Sequence, residues 1–273
     1  MAIQRVINPS KCRDVGPLSE EDLALDKERV AFVLRRKFRG LAGRKRLGLL
    51  WILIDPIVIS LIYYFVLTIV KSGPDARSLI IGVSMYSIFR ASFQSGVASV
   101  NDFTGGLKGE RIRSRVLTRS TLWYGVIDNT IRASGISLIL FFGLSVSLEG
   151  VVTFIVASEI MGFLMQGVGM NLTLVAKRIP DIKNIQFYTL RLLFFVGPVL
   201  YPMSATSGLH YRFNEFNPFS YFVELVRYKV GLDSVVLDFS TIPTIPIIVA
   251  IVILAYFGYT SIDRLRWEVS SWS

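Results

Sequence analysis

From residue 47 onward the chain alternates long apolar runs with shorter stretches rich in Lys and Arg. Six runs, near 47–70, 78–100, 121–147, 151–176, 185–203 and 242–262, have the length that a bilayer core of about 30 Å demands, roughly 20 helical residues. They are too long and continuous for strands. In lipid a helix satisfies its own backbone hydrogen bonds, so helices are expected. Two stretches break the rhythm. Residues 22–39 place Leu23, Val30, Phe32, Val33, Leu34 and Phe38 among many charges, which predicts an amphipathic helix at the cytoplasmic interface or docked on a partner. Residues 204–240 combine many aromatic and aliphatic side chains with Glu215, Glu224, Arg227 and Lys229, charges that forbid a lipid-facing span. Asn217 suits a helix cap and Pro218 a first helical position, so short re-entrant helices are expected near 207–233.

The pattern therefore predicts an all-α integral membrane protein with six transmembrane helices. Its expected parts are an N-terminal extension (1–21), an interface helix with a basic collar (22–46) and a six-span domain (47–273). No apolar run stands in the first 46 residues, so no cleavable signal peptide is expected.

Composition agrees: 52% of the 273 residues are hydrophobic and 18% charged, with a mean hydropathy of +0.52. The net charge of +10 would suggest nucleic acid in a soluble protein. Here most basic residues flank apolar runs, so they read as membrane orientation and no nucleic-acid partner is expected. Segments meeting one side of a six-span chain carry 22 Lys and Arg, against 5 on the other. By the positive-inside rule both termini are cytoplasmic, and the expected location is the cytoplasmic (inner) membrane.

Little in the chain suggests catalysis. Cys12 is the single cysteine and His210 the single histidine, so a thiolate cluster or zinc site is not expected. No phosphate-binding loop of the Gly-x4-Gly-Lys-Ser/Thr type occurs, nor a His-Glu-x-x-His helix or nucleophile elbow. Acidic residues within the spans are scattered and form no acid/base pair.

Four segments, in order, carry a family resemblance: "RKRLGLLWILIDP" (44–56), "KRIPDIKNI" (177–185), "FFVGPVLYPMSA" (194–205) and "FNPFSYFVELVR" (216–227). Together they resemble the membrane subunits of ATP-binding-cassette polysaccharide exporters, closest in look to capsular-polysaccharide exporters, then O-antigen and teichoic-acid exporters. Asp55 stands where that family usually has Glu, and Arg90 in "MYSIFRASFQSG" departs from a second span that usually carries few charges. The resemblance implies a homodimer whose interface forms a channel, with two copies of a separate ATPase binding ATP and Mg beneath it. It also implies a lipid-linked glycan moving from the cytoplasmic leaflet outward, with envelope-spanning export proteins as further partners. The chain itself would then hold no cofactor and be no enzyme. The alternatives are the same architecture exporting a drug or lipid, or a membrane-integral enzyme acting on lipid-linked sugars.

Candidate sites follow. Arg35, Arg36, Arg39, Arg44, Lys45 and Arg46 read either as orientation and headgroup contacts or as an entrance for an anionic substrate, since the Arg fork suits phosphate. Asp55, before the helix-breaking Pro56, reads as part of a hydrated first span or as a cap on freed amides. Tyr63, Tyr64, Phe194, Phe195, Tyr201, Phe219 and Tyr221 read as an interfacial aromatic belt or as lining of a channel exit on which sugar faces slide. Leu107, Lys108, Glu110, Arg111, Ile112 and Arg113 lie in the longest cytoplasmic loop, where an ATPase would couple. Arg90 and Glu159 lie at similar depths and are expected to pair or share a polar cavity. Asp128 and Arg132, four apart, are expected to pair along one helix, Arg191 to reach a headgroup, and Gly162, Gly167 and Gly169 to permit close packing.

Overall fold

The structure is a computed structural model that describes residues 20–42, 50–70, 75–99, 114–179, 181–235 and 244–264. All regular structure among the described residues is helical: α1 (Glu20–Ala42), α2 (Trp51–Val70), α3 (Ala76–Val97), α4 (Ser114–Leu138), α5 (Leu148–Arg178), α6 (Ile182–Val196), α7 (Gly208–Phe216), α8 (Pro218–Lys229) and α9 (Thr244–Arg264). A π-helical turn, Ile139–Gly143, extends α4, and a 3-10 turn, Met203–Ala205, precedes α7.

α5 is the central helix, packing against α3, α4, α8 and α9. Small residues make that packing close. A Cβ on Gly258 would stand 1.8 Å from the Gly167 carbonyl oxygen, and one on Gly169 would stand 2.3 Å from that of Phe93. No other residue type admits such approaches, and in lipid close packing with interhelical hydrogen bonds replaces the hydrophobic drive. Gly162, Gly167 and Gly169 thus sit where the sequence puts helix contacts. The hydrogen bonds are present too. Ser92 donates to Asn129 at 2.9 Å, Gln166 to the Thr121 carbonyl at 2.7 Å, and Asn171 to that of Leu254 at 2.7 Å. Arg132 meets Asp128 at 2.8 Å, the pair expected on α4. At the start of α3, Asp75 accepts from the Arg77 amide at 2.8 Å, and the Arg77 guanidinium holds its carboxyl below the usual carboxylate range.

α1 packs against the first turns of α4. Val33 is buried, the Phe38 and Tyr124 rings lie 5.2 Å apart, and Lys37 donates to Thr121 at 3.0 Å. The amphipathic pattern is therefore used within the chain on one face, while Leu25 and Phe32 stay exposed on the other.

Among the described residues two helices, Arg115–Gly143 and Leu148–Thr173, have the length and hydropathy of membrane spans on their own. Leu53–Ile69 and Ile245–Thr260 are apolar but shorter. The stretch expected as a span at 185–203 is helical only to Val196, so α6 has 15 residues, about 22 Å. Pro198 cannot continue the hydrogen-bonded ladder, and the chain beyond Val196 is fixed differently. Arg227 on α8 donates to the carbonyls of Pro198 (2.7 Å), Tyr201 (3.2 Å) and Val199 (3.2 Å), and to that of Ser78 on α3 (3.3 Å). Glu224 holds Arg227 at 2.9 Å and accepts from the amides of Met203 and Val235. Both side chains are wholly inaccessible. α8 itself begins as the sequence requires, with Asn217 accepting from the Phe219 amide at 3.1 Å and Pro218 in the first turn.

Candidate functional site

Positions 83, 86, 87, 90 and 94 fall on one face of α3, because residues three and four apart are neighbours on a helix surface. The opposite face carries Gly82, Met85, Phe89, Ser92 and Gly96, which are buried. The first stripe mixes an aromatic, Tyr86, with polar Ser87, Arg90 and Gln94. It faces a cavity of about 480 Å³ between α2, α3 and α6. α6 contributes Phe187, Leu190, Arg191, Phe194 and Phe195, again at helical spacing, and α2 contributes Ile59, Ile62 and Tyr63.

The wall is aromatic and internally braced. Tyr63 packs on Phe194 at 5.2 Å and edge-on to Phe195 at 6.5 Å, while Tyr86 meets Phe194 at 5.0 Å. The Tyr86 hydroxyl donates to the Leu190 carbonyl, fixing α3 to α6. On this frame sit two guanidiniums, Arg90 and Arg191, both exposed to the cavity side and neither with a hydrogen-bond or ion-pair partner among the described residues. Among the described residues no Asp or Glu lines the cavity. An unpaired Arg deep in a bilayer costs at least about 2.5–3.5 kcal/mol, so such residues face water-filled space or a partner. The surroundings fit a hydrated recess with an apolar rim.

The expected Arg90–Glu159 pair does not form. Glu159, on α5, accepts from Thr130 of α4 at 2.7 Å, whereas Arg90 projects from the α3 face that looks toward α2 and α6. The residue that joins Arg90 is Arg191, expected to reach a headgroup by itself. Its position was signalled only by helical register: Arg191 shares the stripe of Phe187, Phe194 and Phe195. Gln94 and Ser87 had a clearer signal, standing four after and three before Arg90.

Three of the seven aromatic candidates, Tyr63, Phe194 and Phe195, line the cavity. The other four do not. Phe219 is 2% exposed and packs on Tyr86 and Phe89, because α8 turns its apolar face into the bundle. Tyr201 bonds the Phe195 carbonyl and His210, and Tyr221 donates to the Glu215 carbonyl. Tyr64 is exposed on α2. Asp55 is exposed one turn before Ile59 and outside the cavity, while Ser60 donates to the Pro56 carbonyl at 2.7 Å and so takes up an acceptor beside the proline. Arg35, Arg36 and Arg39 are exposed on α1. Arg44, Lys45 and Arg46, and the loop residues Leu107, Lys108, Glu110, Arg111, Ile112 and Arg113, lie outside the described residues.

Residues 28–230 match the family of ABC-2 type transporters. That stretch runs from α1 through α8 and takes in every element bordering the cavity, and the chain belongs to this family. It is an integral membrane, permease-type subunit of an ATP-binding-cassette transporter. No curated protein matches the chain.

Proposed function

We propose that the chain is the permease of an exporter that moves a lipid-linked polysaccharide or glycolipid from the cytoplasmic leaflet outward. Two copies form the channel, and two copies of a separate ATPase drive it with ATP and Mg. The observation that carries this reading is the cavity between α2, α3 and α6, which combines an aromatic wall with hydrogen-bonding and cationic groups. Aromatic faces suit the apolar faces of sugar rings, and the polar stripe on α3 suits hydroxyls. Arg90, Gln94 and Arg191 together offer polar and cationic groups that a neutral, wholly apolar cargo would not engage. The flanking faces of α2 and α6 support a second copy there: Leu61, Phe65, Tyr188 and Leu192 are all exposed.

In this reading both termini and the loop after α3 lie in the cytoplasm of a cell with the chain in its inner membrane. The loop at 107–113 transmits the stroke to α4, whose first turns are gripped by α1 through Lys37 and Phe38. Envelope proteins take the glycan onward.

The test is reconstitution of the chain with its ATPase in proteoliposomes. A polyprenyl-linked oligosaccharide should stimulate hydrolysis and become inaccessible to an added glycosidase as it enters the lumen. Stimulation by fluorescent phospholipids or amphiphilic drugs, with no response to the glycan, would sink the reading.

A further inference from the structure

We propose that the cavity between α2, α3 and α6 is an anion subsite, in which Arg90 and Arg191 hold a phosphate or carboxylate borne by the transported molecule. The inference rests on the glycan-export reading and narrows it to acidic cargo. Two guanidiniums converge on one recess from helices about a hundred residues apart in the chain, and no carboxylate among the lining residues neutralises them. If each arginine served only to reach a headgroup, each would have its own exit along its own helix. Instead both share walls with Gln94 and Ser87, which can donate to the remaining oxygens of an oxyanion. The guanidinium fork binds carboxylate and phosphate through paired hydrogen bonds, which a point charge does not reproduce. Tyr63 and Phe194, braced 5.2 Å apart, stand where the ring carrying the anion would rest. Arg90 lies seven residues before the end of α3, about 10 Å along the axis. Cargo therefore reaches it early in passage if that end is cytoplasmic.

The experiment uses the full chain in nanodiscs of phosphatidylcholine. A hexasaccharide of glucuronic acid and a neutral hexasaccharide of glucose are titrated by calorimetry, with inorganic phosphate as competitor. The acidic sugar should bind about tenfold or more tighter than the neutral one, and phosphate should displace it. Arg90→Gln and Arg191→Gln should each erase about tenfold of that preference. The lysine variants should fall between, and they decide the matter if a glutamine variant does not fold. A parallel arm adds phosphatidylglycerol to the nanodiscs and counts retained lipid by native mass spectrometry. Retention by the native chain that R90Q and R191Q abolish, with neither sugar bound, would keep the anion site, assign it to a lipid headgroup and overturn the glycan reading. Equal binding of both sugars, unchanged in all four variants, would overturn the anion site while leaving glycan transport standing.

Discussion

Glu224 and Arg227 on one side, and Arg90 and Arg191 on the other, are charges placed inside the same helical bundle under opposite terms. The first two are wholly buried, and together they bond each other, four carbonyls and two amides from three separate segments. The second two face a recess and bond nothing among the described residues. A buried ion pair seldom adds net stability, but removing one partner strands the other at high cost. Charges whose terminal nitrogens and oxygens are bonded internally in this way are structural, here fixing the non-helical chain after Val196 against α3 and α8. Charges left unsatisfied at a cavity are available to something that enters it.

Arg227→Ala should destabilise the protein by about 3–5 kcal/mol, or roughly 10 °C in apparent melting temperature in detergent. Replacing both partners with apolar residues, as in E224L with R227M, should not restore stability. Ordinary buried pairs tolerate that exchange. This one would leave the carbonyls of Pro198, Val199, Tyr201 and Ser78 without their donor. Full recovery in the double variant would reduce the cluster to a simple ion pair.

The next effect tests packing without charge. Gly258→Ala adds one methyl group where only 1.8 Å is free to the Gly167 carbonyl, so α5 and α9 must separate. Overpacking of this kind costs about 1–3 kcal/mol. Gly40 is the control: a Cβ there meets nothing within 4 Å, so Gly40→Ala should be neutral or gain up to about 1 kcal/mol from helix propensity. Thermal unfolding of both variants in one detergent gives the comparison. Equal losses would point to the backbone, not to the α5–α9 contact.

What the sequence disclosed and what it concealed divide along the same line. Local chemistry was legible: Asn217 caps α8, Asp128 meets Arg132 four residues on, and the α5 glycines lie at helix contacts, because each depends on spacing within one element. The charges of α8 were read as incompatible with lipid, and Glu224 and Arg227 are wholly buried within the protein, although nothing local said that Arg227 would gather carbonyls from residues 78, 198, 199 and 201. Tertiary choices were hidden. Glu159 matched Arg90 in depth, but depth ignores rotation about the helix axis, and Thr130 on α4 faced Glu159 instead. Phe219 looked like lining until the direction of α8 turned it inward. The cavity needed α3 and α6 side by side, and helical register alone fixes neither helix's neighbour.

Arg90→Gln and Arg191→Gln remove charges that no group among the described residues bonds, so each should change stability by less than about 0.5 kcal/mol, as substitutions away from packed or bonded features do. A slight gain is equally consistent, since two like charges sharing a recess repel and losing either relieves that. The measurement is the apparent melting temperature of each variant beside Arg227→Ala, repeated at low and high salt. If the guanidiniums are unpaired, the native chain should gain stability as salt screens their repulsion, and the two glutamine variants should lose that response. A loss of several degrees in either variant, with no change in salt response, would mean the arginine is structural, and the contrast with Glu224 and Arg227 would collapse. Unchanged stability together with lost binding of acidic sugar is the combination that a ligand-facing charge must give and a structural one cannot.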